Sequence, residues 1–91
     1  MQIELYKRAV VPLGKGVEVK YSLLSEEAAK TRPLGCELYG VQIEMGEEVA
    51  ARPCLTASRV SVGALLDSMV SGGVTPAGMG DVVDDWLVAH N

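Results

Sequence analysis

Phenylalanine is absent from these 91 residues and tryptophan occurs once, so the interior has to be filled by Val, Leu, Ile, Ala and Met. Lysine and arginine stop at Arg59. Residues 60–91 carry Asp67, Asp81, Asp84 and Asp85 and no cation. A carboxylate-rich C-terminal third repels phosphates, so nucleic acid is not an expected partner. No apolar run approaches the ~20 residues of a membrane span. The opening MQIELYKRAVV lacks the basic segment and apolar run of a secretory signal, and the expected location is cytoplasmic. Histidine occurs once, at His90, and cysteine twice, at Cys36 and Cys54. Three such side chains cannot complete a four-ligand zinc site, and no C-x-x-C is present. A hairpin turning about Gly46 and Glu47 does not oppose the cysteines without a different turn or a bulge. Both thiols are expected to be reduced, and no metal or cofactor is expected.

What is present describes a soluble globular chain. A hydrophobic share of 48% beside 22% charged residues suits a folded core, and the length suits a single domain over residues 1–91. In the first stretch Ile3, Leu5, Ala9 and Val11 take odd positions, interrupted by Lys7. In the second, Val17, Val19, Tyr21 and Leu23 do the same. Period two marks strands with one buried face. Pro12, Gly14 and Gly16 supply the turn between them. A loop centred on Gly14 predicts Leu5 against Leu23, Ala9 against Val19, and Val11 against Val17.

The polar SEEAAKTRPLG that follows predicts a loop, with one helical turn at Glu26 to Lys30. Tyr39, Val41, Ile43 and Met45 then resume the alternation. A weaker strand carries Val49, Ala51 and Leu55, and Pro53, lacking an N–H, places it at an edge. From Ser61 the period changes. Val62, Leu65, Leu66, Met69 and Val70 form one stripe of an amphipathic helix, with Ser58 or Ser61 as cap and the Ser71–Gly73 glycines as stop. A second helix has Thr75 as N-cap, Pro76 at its first position and a staple between Val74 and Met79. Gly78 and Gly80 weaken its first turn, so regular helix is expected only near Gly80. The expected architecture is α+β: an antiparallel β-meander of about four strands, then two C-terminal helices packed on one sheet face.

Asp81, Asp84 and Asp85, at i, i+3 and i+4, are the one cluster that invites a chemical reading. At about 100° per residue, Asp84 and Asp85 fall roughly 60° and 40° to either side of Asp81. Met79, Val82, Val83, Trp86 and Leu87 occupy the opposite half of the wheel. The carboxylates therefore face water, where nothing raises their pKa for acid–base work. LGKG lacks the spacing of a phosphate loop, and GGVTPAGMG follows no strand as a dinucleotide fingerprint must. His90 belongs to a helix C-terminus, Trp86 to the core, and no Ser or Thr has a base beside it. The residues assign no catalytic, cofactor or metal site.

Five stretches carry a resemblance: ELYK (4–7), VKYSLLSEE (19–27), LYGVQIE (38–44), LL (65–66) and GVTPAGMGDVVDDWL (73–87). On these the chain resembles a family of small uncharacterised proteins, a domain of unknown function, of clostridia-type Gram-positive bacteria. The resemblance implies a compact α+β domain of strands followed by helices. It implies no activity, ligand or site residue.

Function is therefore expected to be non-catalytic: a small protein-interaction or regulatory module, with its own copy as one candidate partner. A small-molecule domain with a pocket between sheet and helices is the alternative, and an enzyme ranks last. Self-association is expected from the face turned away from the helices, where even positions should be polar. Tyr6, Val10, Leu24 and Leu38 break that rule there.

Overall fold

The computed structural model describes residues 2–12, 14–25 and 39–90 (of His90, the backbone alone). The expectations for the 26–35 loop, for Cys36 and Leu38, and for the His90 side chain lie outside the described residues. Four strands come first: β1 (Gln2–Val11), β2 (Val17–Ser25), β3 (Tyr39–Met45) and β4 (Glu48–Thr56). Two helices follow, α1 (Arg59–Gly72) and α2 (Pro76–His90). The strands form one antiparallel sheet in the order β1-β2-β3-β4, and both helices contact it, as the periodicity predicts.

The first hairpin closes as expected near its turn. Val11 faces Val17, Ala9 faces Val19, and Gly14 and Gly16 take the positive φ that the turn requires. Beyond Lys7 the register slips. Leu5 faces Ser22, not Leu23, because a bulge at Tyr6 inserts one residue without a partner. The slip inverts the alternation in the first half of β1. Ile3 and Leu5, expected in the core, lie on the face turned from the helices, 55% and 47% exposed. Glu4 and Tyr6 take their places on the helix side.

The second hairpin turns through Gly46 and Glu47, with Met45 against Glu48. A two-residue turn sets even-numbered β4 residues opposite odd-numbered β3 residues. Ala50 and Arg52 consequently face the helices, whereas Val49 and Ala51 are exposed on the other side. Farther on, Arg52 faces Val41 and Thr56 faces Tyr39, so Pro53, Cys54 and Leu55 stand against Gly40 alone. Cys54 adopts φ 65° within this bulge. Gly40 is required here, since a Cβ would overlap the Arg52 carbonyl.

Local chemistry defines the helix ends. The Ser58 hydroxyl accepts the Ser61 N–H at 3.1 Å, which decides between the two candidate caps. At the other end Gly73 turns left-handed. Its N–H donates to the Val70 carbonyl at 3.2 Å, and the Val74 N–H donates to the Met69 carbonyl at 3.0 Å. The second helix begins at Pro76, earlier than the glycines suggest, with the Gly78 N–H bonded to the Thr75 carbonyl at 3.1 Å. Proline fixes the first φ, and Met79, 2% exposed, is buried from that same turn. Burial outweighs the roughly 1 kcal/mol that each glycine costs.

The core lies between the sheet and the helices. Val19, Tyr21, Val41 and Ile43 meet Val62, Leu66, Met69 and Val83, all fully buried. Trp86 is half-buried and packs on the margin of this cluster rather than at its centre. The face turned from the helices is not the uniformly polar, solvated surface that alternation predicts. Ser22, Leu24 and Gln42 are buried on it.

Candidate functional site

Among the described residues, three exposed carboxylates, Glu4, Asp67 and Asp84, tie helices to strands. Glu4, at the start of β1, accepts from the Arg59 guanidinium at 2.7 Å, and Arg59 opens α1. This hydrogen bond and the attraction behind it hold Arg59 charged above its ordinary range. Tyr6 donates to the Asp67 carboxylate of α1 at 2.8 Å, which raises the pKa of its phenol. The Arg52 guanidinium of β4 donates to Asp84 of α2 at 3.2 Å. Each tie is exposed and screened by solvent, so each acts chiefly on orientation. None was legible in sequence, because the Tyr6 bulge and the even-numbered helix side of β4 decide which charges meet.

Asp81, Asp84 and Asp85 are exposed, on the side of α2 opposite Met79 and Val83. The wheel is therefore as expected, but Asp84 has the Arg52 partner that sequence did not show. Among the described residues no three His, Cys, Asp or Glu side chains are placed to hold a metal. Cys54 corrects an expectation: it is disulfide-bonded, not a reduced thiol.

Two surface features remain. Near the turn between β3 and β4, an open depression of about 340 Å³ is lined by Val17, Glu18, Lys20, Glu44 and Gly46. It lies on the sheet surface, not between sheet and helices where a small-molecule pocket was expected. Gln42 donates to the Glu44 carboxylate at 2.7 Å beside it. The second feature is β1 itself, an edge strand whose residues are almost all exposed. On its face away from the helices stand Ile3, Leu5, Arg8 and Val10, with Val10 71% exposed.

Fold and site together define a small α+β domain: a four-stranded meander with two helices on one face and a long exposed edge. Residues 1–89 match the family model described as a family of unknown function, DUF6514, and the chain belongs to that family. No curated protein and no solved structure matches it. Among the described residues no helix is long and apolar enough to cross a membrane.

Proposed function

We propose that the domain is a small non-catalytic protein-interaction or regulatory module that engages its partner along β1. One observation carries this: an edge strand of ten residues presents Ile3, Leu5 and Val10 to solvent, beside a backbone edge that is unpaired among the described residues. A row of free N–H and C=O groups flanked by exposed apolar side chains is the surface that β-strand addition uses. The opposite edge is less suited, since Pro53 and the three-residue bulge interrupt β4. The patch expected for self-association does not assemble as the alternation suggests. The bulge turns Tyr6 toward α1, Leu24 is 1% exposed, and Leu38 lies outside the described residues. Support for a cytoplasmic location weakens with the Cys54 disulfide, because cytosolic thiols are kept reduced.

A holdup experiment tests the proposal. Immobilised wild type and an Ile3→Glu plus Leu5→Glu variant are incubated with the same lysate, with circular dichroism confirming that both are folded. Proteins depleted by the wild type and left in solution by the variant are expected. If the two deplete the lysate identically, β1 is not an interaction edge.

A further inference from the structure

We propose that β1 accepts an extended acidic peptide segment as a fifth strand, with Lys7 and Arg8 selecting its charge; this rests on the interaction function proposed above. Among the described residues, no carboxylate is bonded to either cation of β1. Arg52 and Arg59 each have a carboxylate partner, and Lys20 lies between Glu18 and Glu44 around the depression. Lys7 and Arg8 are exposed, and among the described residues neither forms an ion pair. Arg8 also stands directly across from Lys20 in the ladder, a like-charge cross-strand pair, and Glu44, the carboxylate facing Lys20, lies on its far side from Arg8. Lys7 lies on the helix side and Arg8 on the other, so two consecutive carboxylates on an added strand would meet both. Apolar residues flanking them would cover Ile3, Leu5 and Val10.

The same charges disfavour a second copy. Along β1 the two faces alternate up to Leu5, repeat at Tyr6 and Lys7, and alternate again to Val11. Two antiparallel β1 strands match faces throughout only when Tyr6 stands against Lys7 of the other copy. That register gathers both Lys7 and both Arg8 side chains around the two-fold axis, while Glu4, the strand's one carboxylate, is already held by Arg59. Cations on an exposed edge strand guard against pairing with its own kind. An acidic strand meets no such barrier.

The probe is a labelled peptide of alternating valine and threonine on either side of a central Glu-Glu pair, with Lys-Lys in the control. Fluorescence anisotropy gives affinity, and 15N–1H spectra of the full chain locate the contact. The Glu-Glu peptide is expected to bind with shifts concentrated in Gln2–Val11. Binding should weaken about tenfold in Lys7→Glu plus Arg8→Glu, a variant that should instead prefer the Lys-Lys peptide. Lys7→Gln plus Arg8→Gln, which carries no new charge, should fall between and guards against a folding defect. Equal binding of both peptides to the wild type, no binding, or shifts centred outside β1 would overturn the proposal. A wild-type dimer in sedimentation equilibrium with the β1 edge occupied would overturn it too, in favour of a second copy. If the holdup experiment succeeds while the Glu-Glu peptide fails, the interaction function stands and the acidic partner falls.

Discussion

The phenolic hydroxyl of Tyr21, fully buried in the central strand β2, donates to the backbone carbonyl of Val74 at 2.8 Å. This bond fastens the link between α1 and α2 to the middle of the sheet. Tyr21→Phe keeps the ring and removes the donor, leaving the Val74 carbonyl unpaired. Chemical denaturation should show a loss of about 1–3 kcal/mol, and a loss near zero would mean that water replaces the hydroxyl.

Alkali should weaken the fold through the same residue. Burial raises the Tyr21 pKa above its ordinary 10.0, because the phenolate would lose its hydration. The hydrogen bond to Asp67 raises Tyr6 in the same direction. With the folded values above the unfolded ones, their stabilisation is fully present below pH 10.0 and is lost as pH rises through the raised values. Urea melts across that window should show stability falling, and the fall should be shallower in Tyr21→Phe. An unchanged slope in the variant would count against a buried phenol at this position.

Gly40→Ala tests the close approach of β3 to the β4 bulge. An added Cβ would overlap the Arg52 carbonyl and lie 2.5 Å from the Pro53 Cα, both backbone groups that cannot swing aside. A destabilisation of about 3 kcal/mol is expected in thermal or urea unfolding. Tolerance of alanine would show that the bulge is looser than described.

The large features were legible because each repeats along the chain. Period two from Val17 to Leu23 marked β2, and the stripe from Val62 to Met69 marked α1, with the glycine stop at Gly73. What was not legible depended on single insertions. One unpaired residue, Tyr6, turned Ile3 and Leu5 out of the core; the turn at Gly46 and Glu47 was itself legible, and its register puts Arg52 rather than Val49 toward α2. No local pattern announces a bulge, because the alternation on either side remains regular. The exposure of Ile3 and Leu5 is hidden in the sequence for that reason, since regular alternation places both in the core.

This inversion separates two leucines of the same apparent pattern. Leu66 is fully buried, and Leu66→Ala should cost about 2–5 kcal/mol. Leu5 is 47% exposed, and Leu5→Ala should cost less than about 1 kcal/mol. Equal losses in urea melts would restore the regular alternation and remove the bulge at Tyr6.

The acidic side of α2 supplies the last test. Replacing Asp81, Asp84 and Asp85 together by Asn removes the exposed ion pair between Asp84 and Arg52, worth about 0–1 kcal/mol. It also removes the like-charge repulsion between Asp81 and Asp85 at i, i+4, worth a few tenths of a kcal/mol in the opposite sense. The two effects nearly cancel, so the melting curve of the triple variant should lie within about 0.5 kcal/mol of the wild type. Calcium or manganese at millimolar concentration should shift neither protein, because exposed carboxylates with Asp84 already bonded to Arg52 offer no desolvated, converging ligand set. A metal-dependent rise in the wild type alone would show that these three carboxylates form a site and not merely the hydrated face of a helix.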